Sequence, residues 1–112
     1  MQDNDLGEES GDKIGTSLIQ NKSLQKLKLA ENKIKNKGAK TIIENSEKLN
    51  SLDLSNNEIT ADICFDLRKL LKLSKNLEEL VWDSNNVGLK GIKLILEGIQ
   101  SSESLKKLSI KN

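Results

Sequence analysis

Laid beneath one another, four stretches of this 112-residue chain share one comb of aliphatic positions. Leu24-Gln-Lys-Leu27-Lys-Leu29-Ala-Glu-Asn32 is followed by Leu49-Asn-Ser-Leu52-Asp-Leu54-Ser-Asn-Asn57 and then by Leu77-Glu-Glu-Leu80-Val-Trp82-Asp-Ser-Asn85. The fourth, Leu105-Lys-Lys-Leu108-Ser-Ile110-Lys-Asn112, stops one residue short of its asparagine slot. All follow L-x-x-L-x-L-x-x-N, with Trp82 and Ile110 in place of leucine. The leading leucines lie 25, 28 and 28 residues apart, and Asn4 precedes Asn32 by 28. A fixed period of this length specifies stacked units, because no unit buries its apolar face alone.

The second half of each unit repeats too. Two places after each asparagine stands an aliphatic residue: Leu6, Ile34, Ile59 and Val87. A small residue usually follows four positions later, as Ser10, Gly38 and Gly91, with Ile63 the exception. Further aliphatics recur at helical spacing, in Ile14 and Leu18, in Ile63, Leu67 and Leu71, and in Ile95 and Ile99. Thr60 is placed to cap the helix of its unit. The unit between Asn32 and Leu49 is three residues shorter than the others, so its helix is expected to lose most of one turn.

This pattern resembles the leucine-rich repeat family, and the 28-residue period with N-x-I-x-x-x-G second halves is similar to its ribonuclease-inhibitor subclass. The resemblance runs from Asn4 to Asn112 and implies an α/β solenoid, a curved horseshoe segment with parallel strands on the concave face and helices on the convex face. The chain then reads as one domain over residues 1–112. It holds a partial repeat 1–23, repeats starting at 24, 49 and 77, and a truncated repeat 105–112.

Elementary geometry gives the same picture. Alternate residues of a strand point to opposite faces, so Leu27/Leu29, Leu52/Leu54, Leu80/Trp82 and Leu108/Ile110 are expected to point inward. Helices space more widely than strands, which sit about 4.8 Å apart, so the stack curves with its strands inside. Asn4, Asn32, Asn57 and Asn85 form the expected structural ladder. They fall where the backbone leaves the strand and its polar groups lose partners, and amides there can satisfy the backbone or each other. Met1 falls on the last inward slot of an otherwise absent strand, and neither end carries a polar cap. A segment of a longer array, or a short product of marginal stability, is therefore expected.

Composition removes most chemistry. Histidine is absent, which excludes His-dependent triads and His metal sites. The one cysteine, Cys64, cannot form an internal disulfide; its helical slot should be buried, making it a structural thiol rather than a nucleophile. The adjacent pairs Glu8/Glu9 and Glu78/Glu79 do not converge for acid–base work, and Gly7, Gly11 and Gly15 lack a phosphate-loop pattern. No catalytic, cofactor-binding or metal-binding residue is assigned, and no cofactor is expected. A formal net charge of +1 gives no basic excess for nucleic acid, and the run Lys33, Lys35, Lys37 and Lys40 reads as a solvated edge. The longest strictly aliphatic run, Leu94-Ile95-Leu96, is far short of the roughly 20 residues that span a bilayer, and the acidic start lacks a signal peptide. A cytoplasmic setting follows as the default for a free thiol.

What remains is an interaction surface. The outward strand positions are Lys26, Lys28 and Ala30; Ser51, Asp53 and Ser55; Glu79, Val81 and Asp83; and Lys107, Ser109 and Lys111. They form the candidate protein-binding face, acidic in its middle rows and basic outside. Lys28–Asp53 and Asp83–Lys111 can equally be cross-strand pairs with no binding role. Val81 could anchor a contact, while alternation turns Trp82 to the core. Four short strands give a face of a few hundred Å² against the roughly 800 Å² per side of a stable partner, which favours a contributing part over a complete binder. The resemblance implies a non-enzymatic protein-interaction module, as in inhibitors and in sensor domains of NOD-like receptors. The alternative is a regulator of a small GTPase, similar to the Ran GTPase-activating protein, although Arg68 is the only arginine and falls on a helix. The partner is expected to be a protein, neither nucleic acid nor membrane. Oligomeric state stays open, since exposed repeat ends could self-associate.

Overall fold

The computed structural model describes residues 13, 14, 17, 25–30 and 32–111. Strand β1 (Lys26–Lys28) leads to helix α1 (Lys35–Glu44) and strand β2 (Ser51–Asp53). A 3-10 turn (Ala61–Ile63) runs into α2 (Cys64–Leu73), followed by β3 (Glu79–Val81), α3 (Gly88–Ser101) and β4 (Lys107–Ser109). The strands form one sheet in the order β1-β2-β3-β4, every pairing parallel. Register follows the sequence comb: Leu27, Leu52, Leu80 and Leu108 lie in one row. Each connection between neighbouring strands carries a helix, as parallel pairing requires.

The interior is the aliphatic comb itself. Leu29, Leu52, Leu54, Leu80 and Trp82 are 0% exposed and pack against Ile42, Leu67 and Ile95 of the helices. Burial falls off in the outer rows: Leu27 and Ile110 are partly buried, and Leu108 is 37% exposed. Helix α1 has 10 residues, as has α2 of a full-length unit, against 14 in α3; the helical stretch of the second unit exceeds that of the shortened one only through its 3-10 turn. Lys13, Ile14 and Ser17 are helical, and Ile14 packs against the core. Asn4, Leu6, Ser10, Leu18 and Leu24 lie outside the described residues, as do Met1, Gly7, Glu8, Glu9, Gly11, Gly15 and Asn112.

Asn32, Asn57 and Asn85 are 0%, 0% and 2% exposed. The Asn57 Oδ1 accepts from the backbone N–H groups of Asn32 (2.9 Å) and Ile34 (3.3 Å), one unit back. Its Nδ2 donates to the carbonyls of Leu29 (2.8 Å) and Ser55 (3.0 Å). Asn85 does the same to the unit before it, accepting from Asn57 N (2.8 Å) and Ile59 N (3.2 Å) and donating to Leu54 O (2.8 Å). Asn32 Nδ2 donates within its own unit, to Leu29 O (2.9 Å) and Ala30 O (3.0 Å), whereas Asn57 and Asn85 stitch their units to the preceding one through main-chain groups that the turn would otherwise leave unpaired.

Thr60 corrects one sequence expectation. It precedes the 3-10 turn, yet its side chain makes no capping bond. Its hydroxyl accepts from Asn36 Nδ2 (2.8 Å), while its own N–H donates to Asn36 Oδ1 (2.9 Å). A neighbouring unit offers Thr60 two bonds where a cap offers one.

A second ladder escaped the sequence reading. Ser46, Ser74 and Ser102 recur every 28 residues, three places before a leading leucine, where the chain passes from helix to strand. The Ser74 hydroxyl donates to Glu47 O (2.9 Å) and accepts from Asn76 N (3.2 Å) and Leu77 N (3.1 Å). Ser102 accepts from Leu105 N at 3.1 Å. The available signal was S-x-x-L, a turn motif hidden among polar residues.

Candidate functional site

The outward strand positions share one face because parallel, in-register strands repeat the same alternation. Its first row is Lys26, Ser51, Glu79 and Lys107, and its second Lys28, Asp53, Val81 and Ser109. Ala30, Ser55, Asp83 and Lys111 continue the pattern two residues on.

Hydrogen bonding divides these side chains. Ser51, placed on the face by alternation, is only 6% exposed, and its hydroxyl donates to Glu79 Oε1 at 3.0 Å, so it presents little to a partner. Ser55 Oγ accepts from Asp83 N at 3.0 Å. Asp83 Oδ1 in turn accepts from the Ser109 hydroxyl (2.7 Å) and from Lys111 N (2.6 Å). The Lys111 backbone bond, then the Ser109 hydroxyl, hold the Asp83 carboxyl below its ordinary value, against a smaller upward push from burial. Asp53 Oδ1 accepts from Ser55 N at 3.0 Å, a local turn bond. Ser51, Ser55, Asp83 and Ser109 are therefore tied into the sheet.

Lys26, Lys28 and Lys107 project into solvent, with Asp53, Glu79 and Val81 partly exposed between them. Lys28 and Asp53 are register partners, and Lys111 faces Asp83 through its backbone. A shallow recess of about 230 Å³ opens at the start of the strands, between Lys26, Ser51, Glu79 and Lys107. Its edge carries the solvent-exposed Lys106–Glu78 pair at 3.8 Å, a contact of small energetic weight. The arrangement offers charge and shape without a nucleophile–base pair.

Trp82 is 0% exposed, fully in the core, and its Nε1 has no hydrogen-bond partner. An orphaned buried donor costs about 1–3 kcal/mol, which the large apolar ring must outweigh. Cys64 is also 0% exposed, and burial pushes its thiol up to about 11, away from the reactive thiolate. Arg68 lies within α2, where its Nη1 pairs with Glu97 Oε1 of α3 at 2.7 Å. Among the described residues no group of three acidic or Cys side chains could hold a metal ion, and no helix is long and apolar enough to cross a membrane.

Comparison with known proteins adds a family. A leucine-rich repeat profile matches residues 20–42 and 45–67. Human NACHT, LRR and PYD domains-containing protein 2 is 36% identical over 91 residues, covering 78% of this chain and 9% of the relative. The rat NACHT, LRR and PYD domains-containing protein 3 is 34% identical over 86 residues, covering 73% of this chain and 8% of that protein. The chain thus spans less than a tenth of the length of these two curated relatives. Among solved structures, the actin-binding site 2 of leiomodin-1 superposes with a TM-score of 0.90 over 99% of this chain and 68% of that one, at 20% identity. That likeness is one of fold.

Proposed function

This chain belongs to the leucine-rich repeat family, and from that premise we propose that it is a non-enzymatic protein-interaction module whose concave strand face receives the partner. The observation that carries the reading is the row geometry. Lys26, Lys28, Asp53, Glu79, Val81 and Lys107 stand on strands whose spacing and register are fixed by parallel pairing. The hydrogen bonds among Ser55, Asp83 and Ser109 stiffen the surface from which they project. Preorganised charges lower the entropic cost of docking and select register more than they add affinity. The two inward positions of each row carry aliphatic or indole groups, so the polar side chains of the strands gather on the outward face.

Regulation of a small GTPase gains no support from these relatives, and Arg68 is paired with Glu97 between two helices. The proposal is tested by affinity capture of a defined partner, using wild type, Lys28→Glu with Asp53→Lys, and a helix-side control, Lys37→Glu with Lys40→Glu. Loss of the partner from the strand variant with retention by the control is expected. The reverse pattern would overturn the strand face as the docking site.

A further inference from the structure

The helices carry a second feature that the strand face does not use. Together α1, α2 and α3 present eight basic side chains against three acidic ones, within a chain whose net charge is +1. Part of the excess lies where α2 meets α3, in a groove of about 620 Å³ lined by Phe65, Arg68, Lys69, Lys72, Glu97 and Ser101. Glu97 is its one carboxylate, and Arg68 already occupies it at 2.7 Å. Lys69 and Lys72 take part in no ion pair among the described residues.

Phe65 gives the groove an apolar end. The ring is 44% exposed, a large area for an aromatic on a helix. The Arg68 guanidinium lies 5.7 Å and the Lys90 ammonium 5.3 Å from its centroid. A cation held against a ring is partly preorganised and faces an incoming anion without first being ordered. The neighbouring groove, between α1 and α2, has the opposite character: Glu44, Glu47 and Asp66 outnumber Lys69 around Ile43, Leu70 and Leu73. Of these two grooves the α2–α3 one is thus the basic one, with Lys69 bordering both.

We propose that the α2–α3 groove is a second docking site, which takes an acidic peptide segment bearing an apolar side chain. Carboxylates of the segment engage Lys69, Lys72 and Lys90, and its apolar residue lies on Phe65. Charge complementarity selects an anion, and the recess, with an aromatic at one end, selects a side-chain-bearing chain over a flat lipid surface. The site is independent of the strand face, since it lies between helices.

Fluorescence anisotropy with a fluorescein-labelled Glu-Glu-Leu-Asp-Asp-Leu-Glu-Glu peptide tests this on the full chain. Saturable binding is expected. Lys69→Glu with Lys72→Glu should weaken it about tenfold or more, the effect of two contact charges reversed. Phe65→Ala should weaken it several-fold, as should replacing both peptide leucines by glycine. Lys37→Glu with Lys40→Glu, which removes equal charge from α1, should leave affinity within about twofold. Circular dichroism and Trp82 fluorescence check that each variant is folded. Equal weakening by the α1 pair, indifference to Phe65, or binding of phosphatidylserine vesicles or oligothymidylate without binding of the peptide would each overturn the proposal.

Discussion

At the scale of single residues, the buried amides set the strictest demands. Asn57 makes four hydrogen bonds to backbone groups of two units, three of them buried. Asn57→Ala should therefore cost about 3–5 kcal/mol, read as a lowered urea midpoint, because several buried polar groups lose their partners together. Asn57→Asp should not rescue it, since a carboxylate cannot donate to Leu29 O. Asp83 predicts a pH response. Its folded pKa lies below the unfolded value, so its bonds stabilise the fold above the ordinary aspartate range, and that contribution is lost as pH falls through the depressed value. Denaturation midpoints followed into acid should drop less steeply for Asp83→Asn than for wild type; identical slopes would show that Asp83 does not matter to folding.

Between elements, close approach decides the packing of the helices. A Cβ added to Gly98 would stand 3.0 Å from Arg68 Cα and 2.9 Å from Leu71 Cδ1, so α3 touches α2 where a side chain cannot fit. Gly98→Ala gains helix propensity, yet the backbone contact forces the helices apart. A net loss of about 1–2 kcal/mol in thermal or urea unfolding is expected, with the Arg68–Glu97 pair disturbed alongside. This glycine was not legible in the sequence, whose repeat marks small-residue slots at Ser10, Gly38 and Gly91 instead. Its need for a bare backbone arises from a partner helix 27 to 30 residues earlier in the chain. Thr60 teaches the same lesson in reverse: a capping residue by local rule, it is claimed by Asn36 of the preceding unit.

For the molecule as a whole, every strand leans on its neighbours, and few contacts skip a unit. Short arrays of this kind unfold as one because each interface outweighs the intrinsic stability of a unit. Leu52 is 0% exposed at the centre of the sheet, and Leu52→Ala should lower stability by about 2–5 kcal/mol. The loss should appear equally in far-ultraviolet circular dichroism and in the fluorescence of Trp82, one unit away. Midpoints that separate between the two probes would show that the units unfold independently.

The sequence alone determined the repeat, its parallel strand rows and the side chains that point inward, because a period-2 comb inside a 28-residue period admits one way to bury its leucines. It also placed Trp82 and Cys64 in the interior through their slots. Only the tertiary structure decided which outward residues are free: Ser51, Ser55, Asp83 and Ser109 bond across strands, to partners 26 to 28 residues away. It alone brought Phe65 and Arg68 of one helix beside Lys90 and Glu97 of the next. Periodicity fixes the face to which a residue belongs, whereas hydrogen bonds and close contacts depend on the neighbouring unit, whose surface side chains the repeat leaves free to vary.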